Sequence, residues 1–111
     1  MPQQTHWTPE RAYPRFEVDR RLTLKTFRPG QEQTFHGHAR TISEGGLGAL
    51  IADSLEPGET VGVLMRSGDG GMKLEARAIV KYRTGFHHGL EFVGLSPAQR
   101  DVIRAMCSEA N

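Results

Sequence analysis

Apolar and polar positions alternate along this chain with a period of two over several short runs, the pattern of half-buried strands. Phe16, Val18, Leu22, Leu24 and Thr26 share one parity, and Arg28-Pro29-Gly30 ends that run as a turn. A weakly alternating polar run covers about Gln33 to Ile42, and a short apolar run, Leu47 to Ala52, follows a glycine turn. Glu56-Pro57-Gly58-Glu59 fits a turn with proline second and glycine third, flanked by two carboxylates expected to be solvated. Val61 to Met65 reads as a fourth strand, and Ser67-Gly68-Asp69-Gly70-Gly71 as a hairpin connection. In the clearest alternation, Met72, Leu74, Ala76, Ala78, Val80 and Tyr82 stand against Lys73, Glu75, Arg77 and Lys81. Thr84-Gly85 then leads into a sixth strand, about His87 to Val93.

The period changes near the end. Ser96 is placed as an N-cap with Pro97 at the first helical position, and Val102, Ile103 and Met106 recur at helical spacing to about Glu109. Such a helix lays one apolar stripe on the strands. Met1 to Pro14 carries prolines at positions 2, 9 and 14 and little periodicity, so it reads as an extended arm. The predicted class is therefore mainly β: a small six-stranded antiparallel barrel with a C-terminal α-helix and a flexible N-terminal arm. Residues 1–15 form the arm, and 16–111 one barrel-and-helix domain.

Composition narrows the functional classes. At 111 residues the chain can bury one core. Its formal net charge of +1 gives no global field for DNA, RNA or an anionic membrane, so any anion site must be local. Eight aromatics, several of them in strand positions, make a poor platform for single-stranded nucleic acid. No apolar run has the roughly 18–20 residues that span a bilayer, and the first ten residues lack a signal-peptide core; cytoplasmic location is the expectation. The single Cys107 excludes an internal disulfide and any cysteine-based zinc site, and is expected to be a packed or simply reduced thiol. The five histidines have no spacing that guarantees metal convergence and are expected at the surface or barrel rim. Ser43 has no evident base beside it, so neither catalysis nor a cofactor is indicated.

Two segments carry candidate chemistry. Arg11-Ala12-Tyr13-Pro14-Arg15 holds two guanidinium forks four residues apart around a stiffening proline. Each fork can chelate phosphate oxygens and stack on bases. Thr41-Ile42-Ser43-Glu44-Gly45-Gly46 leads from hydroxyl residues into a glycine turn that a ligand can approach closely. Alone, each also reads as a surface arginine pair and a plain β-turn.

Together, at this spacing and in this strand context, they resemble the PilZ domain: an Arg-x-x-x-Arg arm, then an Asp/Asn-x-Ser-x-x-Gly turn. Phe16 after the second arginine, the Leu55-Glu56-Pro57-Gly58 turn and Gly89-Leu90-Glu91-Phe92 before Leu95-Ser96-Pro97 extend the resemblance from about Arg11 to Met106. It implies a bacterial second-messenger receptor for cyclic di-GMP that regulates a protein partner. By resemblance, Arg11 and Arg15 grip phosphates and stack on guanine, while Thr41, Ser43, Gly45 and Gly46 border the ligand. Thr41 departs from the family pattern, because a carboxylate or amide is usual there. Losing a charge-assisted hydrogen bond of about 1.5–3 kcal/mol weakens binding roughly 10- to 150-fold. The alternative is a degenerate PilZ-like adaptor that binds protein with little or no nucleotide. Arg40, beside Thr41, either adds charge to the site or is an ordinary strand-surface arginine.

Overall fold

A computed structural model describes residues 13–30, 32–53, 55–68 and 70–110. Six strands are formed: β1 (Phe16–Thr26), β2 (Thr34–Ile42), β3 (Gly46–Ile51), β4 (Thr60–Arg66), β5 (Lys73–Thr84) and β6 (His87–Val93). They close into one barrel in the order β1-β2-β3-β6-β5-β4, every neighbour antiparallel. The helix α1 (Pro97–Ala110) packs against β5 and β1. Six strands, closed barrel and closing helix are those anticipated from the alternation. Most of the predicted arm, including Arg11, lies outside the described residues.

The barrel fills with the apolar parity of each strand. Leu22 and Leu24 of β1, Val61 of β4 and Leu90 of β6 are fully buried and pack into one core with Ile42, Ile51 and Val80. On α1, Ser96 and Gln99 form a reciprocal cap. The Gln99 N–H donates to Ser96 Oγ at 3.1 Å, and the Ser96 N–H donates to Gln99 Oε1 at 2.7 Å. Gln99 Nε2 also donates to the Glu75 carbonyl at 2.6 Å, which anchors the first turn on β5. Ile103, Met106 and Cys107 make the buried stripe, and burying each of the two larger side chains is worth about 1.5–3 kcal/mol. Cys107 is the packed thiol foreseen; burial, with a smaller contribution from the Glu44 charge, pushes its pKa up.

Three register shifts interrupt the ladders, between Glu17 and Arg20, Ala39 and Thr41, and Val80 and Tyr82. The shifts in β2 and β5 reverse the parity beyond them, whereas Phe16 and Val18 keep the parity of Leu22 and Leu24 across the one in β1. Tyr82 consequently leaves the inward set of β5 and is 38% exposed, where simple alternation puts it inside.

Two further expectations are corrected. Glu59 is not solvated: it is largely buried and accepts a two-pronged ion pair from Arg28, Nε to Oε2 at 2.7 Å and Nη2 to Oε1 at 2.9 Å. His88 is not at the rim but fully buried. Its Nδ1 lies 2.9 Å from the Phe86 carbonyl, and its Nε2 lies 3.4 Å from the Leu55 N–H. A carbonyl only accepts and an amide only donates, so the ring is the neutral Nδ1–H tautomer. It ties the β5–β6 turn to the segment before β4.

Candidate functional site

The antiparallel pairing of β1 and β2 decides where the arm leaves the barrel. Phe16 stands opposite Ile42 and Glu17 opposite Thr41. One step beyond Phe16 is Arg15; one step beyond Ile42 is Ser43. The register thus delivers the exposed Arg15 to the rim at which the 43–46 turn opens. Arg15, Thr41, Ser43, Gly45 and Gly46 fall in one region of the barrel, while Arg11 lies outside the described residues.

The turn is organised by Ser43 itself. Its buried Oγ accepts the N–H groups of Gly45 at 3.1 Å and Gly46 at 3.2 Å, and its own N–H donates to the Gly46 carbonyl at 2.9 Å. The Gly45 carbonyl accepts from the Phe92 N–H at 2.9 Å, which ties the turn to β6. The Ser43 hydroxyl and these two amides therefore hold the turn's shape. Gly46 is required by packing: a Cβ there would overlap the Leu90 backbone carbonyl. Glu44 points to the helix and accepts from Arg104 Nε at 3.1 Å.

The bulge between Ala39 and Thr41 has a direct consequence. Ala39 faces the core, and without the extra residue Thr41 would share its parity. With it, Thr41 turns outward and pairs with Gly48. Gly48 pairs with Gly89, and Gly89 pairs with Tyr82, itself turned outward by the bulge in β5. Thr41, Gly48, Gly89 and Tyr82 thus form a row across four adjacent strands with two glycines in its middle. Those glycines make room. A Cβ on Gly89 would overlap the Tyr82 ring, and one on Gly48 would lie 2.5 Å from Thr41 Oγ1. His87 stacks on Tyr82 with ring centroids 5.7 Å apart and planes 22° from parallel. The result is an outer-face patch with a hydroxyl at one end, a two-ring aromatic stack at the other and bare backbone between.

Sequence reasoning did not find Tyr82, His87 or the paired glycines. The available signal was the presence of Gly48 and Gly89 inside strands, where glycine marks close approach. Arg40, at the bulge, is exposed, and its side chain has no hydrogen-bond or ion-pair partner among the described residues. Among the described residues no group of three or more His, Cys, Asp or Glu side chains is placed to hold a metal ion. No described helix is long and apolar enough to cross a membrane.

A closed six-stranded barrel with an outer helix, and residues 13–15 delivered beside a Ser-x-x-Gly turn, is the architecture of a PilZ domain. Residues 9–109 match the PilZ domain family model, and the chain belongs to that family, a c-di-GMP-binding family of regulatory modules rather than enzymes. Among solved structures it is similar to the PilZ domain with c-di-GMP of YcgR from Escherichia coli, at a TM-score of 0.74 and 15% identity over 90% of each chain. It is also similar to the Bacillus subtilis inhibitor of motility MotI/DgrA, at a TM-score of 0.68 and 19% identity. That match covers 97% of this chain and 55% of the other. A third likeness is to the PilZ domain of CeSA from a cellulose-synthesizing bacterium, at a TM-score of 0.69 and 11% identity, covering 85% of this chain and 94% of that one. No relative is found among curated protein sequences.

Proposed function

We propose that this chain is a cyclic di-GMP receptor module that regulates a protein partner in the bacterial cytoplasm. The observation that carries this reading is the β1–β2 register, which brings Arg15 to the Ser43–Gly46 turn and sets Thr41 beside it. Arg15, with Arg11 four residues earlier, supplies guanidinium forks for the phosphates and for stacking on guanine. The turn, held by Ser43 and seated on β6 at Gly46, offers a surface without side-chain bulk at Gly45. The Tyr82–His87 stack adds an aromatic face beyond the glycine pair, suited to a planar base. Capture of one ligand by both arginines draws the leader onto the barrel, and the altered surface is what a partner reads.

The test is calorimetric titration with cyclic di-GMP at physiological salt. Binding is expected, weakened at least tenfold by Arg15→Ala and unchanged by His36→Ala. A folded chain with no sub-millimolar binding would discard the receptor reading. Thr41 gives a reason to retain the second one, a PilZ-like adaptor that engages protein without nucleotide, because threonine lacks the carboxylate usual at that position.

A further inference from the structure

The missing carboxylate has a substitute one strand away. Glu17 is the direct cross-strand partner of Thr41, and directly opposed residues on one sheet face have Cβ atoms about 4.5–5.5 Å apart. Glu17 is exposed, and its side chain has no hydrogen-bond or ion-pair partner among the described residues. The other carboxylates around the site are committed: Glu44 to Arg104 at 3.1 Å and Glu91 to Lys81 at 3.4 Å. Glu17 also lies two residues from Arg15, the spacing that puts side chains on one face of an extended chain. A carboxylate with no partner among the described residues therefore stands opposite the threonine and two residues along β1 from the arginine at the turn.

We infer that Glu17 is the guanine-reading carboxylate of this site, its charge supplied from β1 rather than from the position of Thr41; this rests on the receptor reading above. A guanine presents two donors side by side on its Watson–Crick edge, N1–H and the N2 amino group, and a carboxylate accepts both at once. Adenine presents a donor beside an acceptor there, and its ring nitrogen would face a carboxylate oxygen with no proton between them. Glu17 thus favours cyclic di-GMP over cyclic di-AMP, and Thr41 adds only a hydroxyl. The family motif is met in space by residues from two strands, although it is broken in sequence.

The experiment titrates both dinucleotides into the full chain and its Glu17→Gln, Thr41→Asp and doubly substituted forms. Glu17→Gln is expected to weaken cyclic di-GMP at least tenfold while changing cyclic di-AMP less than twofold, so that base selectivity collapses with the thermal midpoint unchanged. Thr41→Asp alone should tighten cyclic di-GMP binding less than threefold, since like charges directly opposed repel. In the Glu17→Gln background the same substitution should restore most of the lost affinity and selectivity. If the unmodified chain binds cyclic di-GMP and Glu17→Gln binds it equally well, the inference fails and the receptor reading stands. The inference also fails if Thr41→Asp tightens binding equally in both backgrounds. An unmodified chain that does not bind cyclic di-GMP overturns both.

Discussion

Replacing Ser43 with alanine separates a residue that shapes the site from one that touches the ligand. The residue is 1% exposed, and its hydroxyl accepts two backbone N–H groups, from Gly45 at 3.1 Å and Gly46 at 3.2 Å. Gly46 N–H keeps only a long contact, 3.4 Å, to the Ser43 carbonyl, and Ser43 N–H remains bonded to the Gly46 carbonyl at 2.9 Å. The turn therefore survives but loses its internal brace. Two net hydrogen bonds at about 1 kcal/mol each give a loss of about 2 kcal/mol. For a domain of this size that is roughly 8–12 °C in thermal midpoint. Calorimetric melting of the two forms measures it. Cyclic di-GMP titration of Ser43→Ala well below its midpoint should then show a loss smaller than tenfold, because the hydroxyl faces the turn. An unchanged midpoint with abolished binding would refute this reasoning and make Ser43 Oγ a direct ligand contact.

Three other outcomes are expected. Gly46→Ala pushes a methyl group into the Leu90 carbonyl where β3 meets β6; it should cost about 3 kcal/mol or more, read by urea denaturation, and a loss under 1 kcal/mol would show that the strands can part there. His88→Phe keeps an aromatic ring, slightly larger, but strands the Leu55 N–H and the Phe86 carbonyl, for a loss of roughly 2–4 kcal/mol in the same assay. Arg28 holds the Glu59 carboxyl below the ordinary carboxylate range, first by its hydrogen bonds. A folded-state pKa below the unfolded value of about 4.3 contributes stability that is complete above that pH and is lost as pH falls through the folded value. Arg28→Ala should therefore destabilise the chain at neutral pH and little in strong acid; an equal effect at both would assign Arg28 a packing role alone.

What could be read from the chain depended on whether side chains followed the local period. The alternation along Leu74, Ala76, Ala78 and Val80, and the Ser96-Pro97 start of the helix, were legible because each residue's surroundings are set by its own strand or turn. Tyr82 and Thr41 were not, because both lie beyond bulges, and a bulge is visible only in the pairing with a neighbouring strand. His88 and Glu59 were misplaced for a related reason. The histidine is buried and the glutamate partly so, each satisfied by a partner distant in sequence, Leu55 for the histidine and Arg28 for the glutamate. Within the candidate site, the arginine arm and the Ser-x-x-Gly turn showed as motifs. Glu17 carried no motif at all, and only the β1–β2 register gives it meaning.

Because β1 is bonded to β4 as well as to β2, every described strand has two neighbours, and backbone groups are left unpaired only where a strand outruns one of them, as residues 16–21 of β1 do beyond β4. A partner therefore finds no full-length strand edge on which to add a strand of its own. It must recognise side chains standing out from the wall, the turns at either mouth, or the outer helix, so specificity among partners can change by surface substitution while the hydrogen-bonded cylinder beneath stays the same.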